Sequence, residues 1–206
     1  TIAQINAFAL GAQMTNPRAK VYLEWSTLKE QDIEKRIDEI DPNCISGKDI
    51  IVPDDNNHFY GVYHRESGGG EQKNLAMPLC HWGKFYEELI RTIMAGNWEQ
   101  DNDVEKAINY WWGMPTGVVD VICSKKLPAG TVRLVNVLKH NYKTGQFHTF
   151  TDQMYAQGHI LKEKKGETLS PEEVIEMDWL AENIIGRIPK IEELQEQAKP
   201  VLTQQG

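Results

Sequence analysis

The chain has 206 residues, enough for one good core or two small lobes, and its 40% hydrophobic and 25% charged content is ordinary for a globular protein. A net charge of −8 excludes the clustered Lys and Arg that nucleic-acid binding needs, and the one short basic cluster, Lys162 to Lys165, is interrupted by Glu163. No apolar run approaches the roughly 20 residues of a bilayer crossing, and Thr1 opens on an apolar stretch without the basic lead of a signal peptide.

Residues 2 to 14 are apolar nearly all round and predict a buried helix, with small residues at Ala3, Ala7, Gly11 and Ala12 that permit close backbone approach. Asn16-Pro17 stops it. Val21 to Trp25 reads as a strand, Ile33, Ile37 and Ile40 as one stripe of a helix, and Cys44 to Ser46 as the next strand. This β-α-β rhythm predicts a parallel sheet with helices packed on it. Phe59 to Tyr63 reads as a strand. The triple glycine Gly68 to Gly70 lacks the spacing and the following Lys of a phosphate loop and reads as a surface loop.

Leu75 to Leu79 reads as a strand, and Trp82, Phe85, Leu89 and Ile93 as a helical stripe closed by Gly96. A polar loop over 97–107 precedes a strand from Ile108 to Trp112. Val118 to Cys123 is apolar, strand or helix, and Val135, Leu138 and Tyr142 mark a helix after Pro128 that ends at Gly145. Extended sequence from Phe147 to Leu161 leads to an expected hairpin turn at Lys164 to Gly166. Ser170, Pro171 and Glu173 announce a capped helix whose face continues through Val174, Met177 and Ala181 until Ile188-Pro189 breaks it. Ile191 to Leu202 reads as a short amphipathic tail.

Little in the chain suggests chemistry. The six histidines form no HxH, HxxxH or HExxH, which predicts no metal site, and no cofactor motif is present. Cys44, Cys80 and Cys123 are odd in number and widely spaced, so they read as buried free thiols rather than disulfides or a zinc site. Cys80-His81 is the only nucleophile–base neighbour pair, and adjacency is not the spacing such a pair needs. The aromatic placement is more informative. Trp25 closes one strand, Trp111 and Trp112 close another just before Gly113, and Trp82 opens a helix directly after a strand. Ligands of open α/β sheets sit beyond the carboxyl ends of strands, where a flat ring stacks on a planar solute and a glycine allows close approach. Core packing is the plainer reading of Trp82 and Trp98; at the Trp111 to Gly113 corner both readings stand.

The order of these features resembles the basic membrane protein family of ABC-transporter substrate-binding proteins. Ile5 to Gln13 followed by Asn16 to Tyr22 is similar to the family's buried helix with "F.LGA…NP..KV" and the strand after it. Asp49 falls at an aspartate following the next strand. Asn74 to Gly83 and on to Trp98 resembles a strand, a helix and "dG.W", Trp111 to Val118 resembles "WWGM..G", and Lys139 to Phe150 resembles a helix followed by "I..G.fnpF". The segment after Asp49, residues 50–57, is shorter and poorer in helix formers than the family's.

The resemblance implies a Rossmann-like parallel sheet flanked by helices, of the type I periplasmic-binding-protein kind, with the first lobe incomplete because the opening β-α repeats have no counterpart before Thr1. It implies a lobe core over about 1–75, a crossing to the other lobe over about 76–113, and a return over about 114–206. It also implies a non-catalytic, membrane-anchored, extracytoplasmic protein that binds a purine base or nucleoside and delivers it to a transporter permease. Trp111, Trp112, Gly113, Trp25, Asp49 and Trp82 are the candidate ligand-binding residues. The alternatives are a cytosolic ligand sensor on the same fold and, more remotely, a hydrolase using Cys80 and His81. An uncovered apolar helix at residues 2–14 predicts self-association through that surface.

Overall fold

The computed structural model describes residues 2–47, 60–67, 72–96 and 113–199. They divide into two compact units, Thr1–Asp41 with His148–Gly206, and Pro42–Phe147. The chain changes unit after Asp41 and again after Phe147. The architecture is mixed α/β, with parallel and antiparallel sheets and flanking helices, and is compatible with a periplasmic-binding-protein fold.

The first unit is organised by its opening helix, α1 (Ile2–Thr15). Both buried apolar clusters lie on it. One joins Ala9 to Leu180, Ala181 and Ile184. The other gathers Phe150, Met154 and Met177 against Ile2, Ala3, Ala7 and Leu10. The cover on the inward side of α1 comes from residues 148–185 of the same chain, while Phe8 and Met14 remain exposed.

At the centre of this packing is a polar side chain. Asn6 is fully buried. Its Nδ2 donates to the Trp179 carbonyl at 2.7 Å and to Met177 Sδ at 3.0 Å, and its Oδ1 accepts from the Ala181 amide at 2.8 Å. One turn on, Asn183 Nδ2 donates to the Ala9 carbonyl at 2.8 Å. These bonds show why residues 177–185 are not helical. The predicted helix is only α5 (Pro171–Ile175), opened by the expected capping box of Ser170 and Glu173. Met177 and Ala181 are buried as their spacing suggested, but on an extended segment. Its backbone groups bond to Asn6, to Gln157 and Tyr155, and to the strand β1 (Val21–Tyr22). Tertiary partners outweighed a helical period.

β1 pairs in parallel with β8 (Ile184–Ile185), Val21 opposite Ile184. Gly186 follows at φ +146°, and a Cβ there would lie 2.9 Å from both the Cβ and the carbonyl oxygen of Leu23, so only glycine fits. The helix α2 (Ile33–Ile40) starts at Asp32, whose side chain accepts from the Lys35 amide. The C-terminal tail forms 3-10 turns at Ile191–Glu193 and Glu196–Ala198. Its backbone is held by Lys29 N–H to the Glu193 carbonyl and Gln195 N–H to the Thr27 carbonyl. Arg187 grips Glu193, whose carboxyl it holds down to about 2.

The hairpin of this unit joins β6 (Thr151–Ala156) to β7 (Ile160–Thr168). Its turn is Gln157 to His159 rather than Lys164 to Gly166, because Gly158 and His159 both take positive φ, +76° and +59°. The His159 ring stacks on Tyr155 and reaches Glu182 Oε1 at 2.9 Å. Gly166, at φ +78°, sits instead at a bulge, where the ladder jumps from Glu163 opposite Gln153 to Thr168 opposite Thr151.

The second unit carries a four-stranded sheet in the order β2 (Cys44–Ser46), β3 (Val62–His64), β4 (Lys73–Cys80), β5 (Val119–Cys123). Every pairing in it is antiparallel, whereas the β-α-β rhythm had predicted parallel neighbours; among the described residues parallel pairing is confined to β1 and β8. Gly61 explains the close approach of β3 to β4: at φ +63° its Cβ would stand 2.4 Å from the Ala76 carbonyl oxygen. The helices are α3 (Trp82–Met94), ended by Gly96 at φ +72°, and α4 (Ala129–Lys143), ended by Gly145 at φ +69°, both as predicted. No helix among the described residues is long and apolar enough to cross a membrane.

The Asn6 clamp gives a direct test. Asn6→Ala leaves the Ala181 amide and the Trp179 carbonyl without their partner inside the core, which should cost about 2–4 kcal/mol. Asn183→Ala loses a single bond to the Ala9 carbonyl and should cost about 1 kcal/mol. Urea unfolding of the two variants reads the difference; equal losses would show that the clamp is not centred on Asn6.

Candidate functional site

The predicted aromatic site residues fall into both units. Trp25 lies in the first, just after β1, half-buried, with its indole Nε1 donating to the Arg187 carbonyl at 2.8 Å. That bond ties the segment after β1 to the segment after β8. Trp82 and Gly113 lie in the second unit. Trp111, Trp112 and Asp49 lie outside the described residues.

In the second unit the carboxyl end of β4 meets the amino end of β5, with Cys80 opposite Val119. The His81 amide donates to the Val118 carbonyl at 2.7 Å, and Trp82 then opens α3. The turn before β5 is built on Gly113, whose carbonyl accepts from Thr116 Oγ1 at 3.0 Å and from the Val119 amide at 3.4 Å. Gly117 closes that turn at φ +73°, and the Lys84 ammonium lies against it, 2.8 Å from where a Cβ would be. A glycine is favoured there by its dihedral, while the flexible Lys84 chain could shift aside.

Trp82 is exposed and touches Phe85 edge to face, with ring centroids 5.8 Å apart. It is therefore not a core residue, contrary to the plainer reading of its position. The corner offers a solvent-facing indole at Trp82 and, against Gly117, the Lys84 ammonium. Such a surface can stack a planar ring and place a polar edge near a cation. Sequence reasoning singled out Trp82 and Gly113 but passed over Lys84, which stands in no motif and is recognisable only through its packing on Gly117.

Asp120 and Lys139 brace the strand behind this corner. Lys139 Nζ lies 2.6 Å from Asp120 Oδ1 and also donates to the Val121 carbonyl at 2.9 Å, joining α4 to β5. The hydrogen bond from Lys139 holds the Asp120 carboxyl below its ordinary value, and the Val121 amide adds to the effect.

The thiols differ from expectation. Cys44 and Cys80 are exposed and only Cys123 is half-buried, because strands of this small sheet leave their ends in solvent; all three are free. Among the described residues no three His, Cys, Asp or Glu side chains converge as a metal site would need.

No protein-family model matches the chain. Curated proteins similar to the chain are named as binding proteins. A purine-binding protein of Brucella abortus is 24% identical over 197 residues, covering 90% of this chain and 54% of that protein. A protein of Haloferax volcanii named as an ABC transporter glucose-binding protein is 30% identical over 129 residues, covering 57% of this chain and 31% of that protein. The chain thus spans about half the length of the first relative and about a third of the second.

The Asp120–Lys139 brace predicts a pH dependence. A depressed native carboxyl contributes stability that is complete above the ordinary aspartate range and is lost as pH falls through the native value. The urea midpoint should therefore drop on acidification below about pH 4, and Asp120→Asn should flatten that part of the profile while lowering stability at neutral pH. Profiles of equal slope for parent and variant would remove the brace from this account.

Proposed function

We propose that the protein binds a small planar solute, a purine base or nucleoside, without chemical turnover, and serves an ABC transporter as its substrate-binding component. The observation that carries this reading is the similarity to a purine-binding protein along 90% of the chain. It is supported by the surface of the second unit, where the indole of Trp82 is exposed at the start of α3. Both relatives are named as binding proteins, in keeping with a non-catalytic role.

In this reading the chain is the C-terminal part of a two-lobed receptor held outside the cytoplasm by a membrane anchor, and a transporter permease receives the solute. Trp82 and Gly113, with Trp111, Trp112 and Asp49, contribute to the ligand wall. The name of the Haloferax volcanii relative favours a sugar as the second reading, since an exposed indole also packs against a sugar face.

Calorimetric titration of the intact protein with adenosine, hypoxanthine and glucose separates the two. Purine binding is expected, and Trp82→Ala, Trp111→Ala or Trp112→Ala should weaken it about 5- to 150-fold through loss of one stacking contact. Heat with glucose alone would turn the assignment to sugars. Purine affinity unchanged in all three variants would keep the ligand and discard the site.

A further inference from the structure

The edge of the sheet in the second unit brings a thiol and an imidazole together. β2 and β3 pair with Cys44 opposite His64. The Arg65 amide donates to the Asn43 carbonyl at 3.0 Å, and the Gly47 amide to the Gly61 carbonyl at 2.7 Å. Bonded and non-bonded pairs alternate along an antiparallel ladder, so Cys44 and His64 fall on a non-bonded pair. In such a pair the Cα atoms stand about 4.5 Å apart and both side chains lie on one face.

The imidazole is set for a ligand role. His64 Nδ1 lies 2.6 Å from the Asn43 carbonyl oxygen. A carbonyl only accepts, so Nδ1 carries the proton and the neutral ring keeps its lone pair on Nε2. A backbone carbonyl on the far nitrogen is the partner that metal-binding histidines ordinarily have. The same bond draws the ring from β3 onto β2, beside Cys44, which is exposed and free. On the other flank of His64, the Lys73 ammonium is engaged with Glu66 at 3.1 Å. The other two thiols have no such neighbour: Cys80 and Cys123 stand opposite Val119 and Ala76.

We propose that Cys44 Sγ and His64 Nε2 chelate a thiophilic divalent cation of the zinc type across the two strands. Thiolate with imidazole suits such an ion, whereas magnesium and calcium take oxygen ligands. A closed structural zinc site has four protein ligands. No third group converges here among the described residues, so water completes the shell and the ion exchanges, with micromolar affinity. As the ion enters, the Cys44 S–H bond breaks, the sulfur–metal bond forms, and the proton passes to solvent. Partial desolvation pushes the Cys44 thiol up, so affinity climbs with pH. The clip ties β2, a three-residue edge strand just after the crossing at Pro42, to the strand beside it.

Calorimetric titration of the intact, reduced protein with Zn²⁺ tests the proposal. One ion per chain is expected, with affinity rising about tenfold from pH 7 to pH 8 as one thiol proton leaves. Cys44→Ser and His64→Gln each remove one of the two ligands and should weaken binding by about tenfold or more. Cys80→Ser should leave it unchanged, and Mg²⁺ should not bind. Zn²⁺ should also raise the melting temperature of the parent more than that of either ligand variant, which reads the site even if a variant is less stable. Absence of Zn²⁺ binding overturns the proposal. So does binding indifferent to Cys44→Ser and His64→Gln, lost on Cys80→Ser, or flat between pH 7 and pH 8, each the mark of an adventitious ion only.

Discussion

A single carboxamide fixes the first unit. Asn6 sits on a helix whose other inward residues are apolar, and it reads the backbone of a segment 175 residues later in the chain. An apolar side chain there would pack but could not choose a register. The amide can, because its donor and acceptor must meet the Trp179 carbonyl and the Ala181 amide together. Once those bonds are set, Leu180, Ala181 and Ile184 fall against Ala9, β8 comes level with β1, and Trp25 meets Arg187. The parallel pair, the close approach at Gly186 and the placement of one candidate aromatic ring all follow from that choice of register.

The local elements were legible where local chemistry decides them. Ser170 as a cap, Gly96 and Gly145 as helix ends, and the stripes of Ile33, Ile37 and Ile40 and of Phe85 and Leu89 appear as read. What failed was pairing and continuation. Val174, Met177 and Ala181 share a helical period, yet Met177 and Ala181 reach the core on extended backbone, because a distant asparagine supplies hydrogen bonds that a helix would have supplied internally. Strand direction was misjudged for a similar reason. A β-α-β order is compatible with antiparallel neighbours when the partner of a strand is chosen by Gly61 against Ala76, a contact no window of sequence displays.

The candidate site was legible in part. Trp82 and Gly113 stand out by type and position, and the structure places both at the junction of β4, α3 and β5. Lys84 could not have been singled out, since its interest lies in what it touches. The corner is braced from behind by Lys139, one charge serving a carboxylate and a carbonyl at once, so its shape depends on α4 as much as on the strands that border it.

The long sequence separation between Asn6 and its partners has a consequence for biosynthesis. α1 is among the first elements of this chain to leave the ribosome, and its covering residues follow some 175 positions later. At about 5–20 residues per second, the helix waits on the order of ten seconds or more with Ile2, Ile5 and Leu10 uncovered. Meanwhile residues 42–147 can form their own unit, whose strand pairings span shorter stretches of chain and close faster than distant ones. The chain should thus emerge inside out in time, its middle settled before its beginning, and a holdase that recognises short apolar helices would find its substrate in residues 2–15.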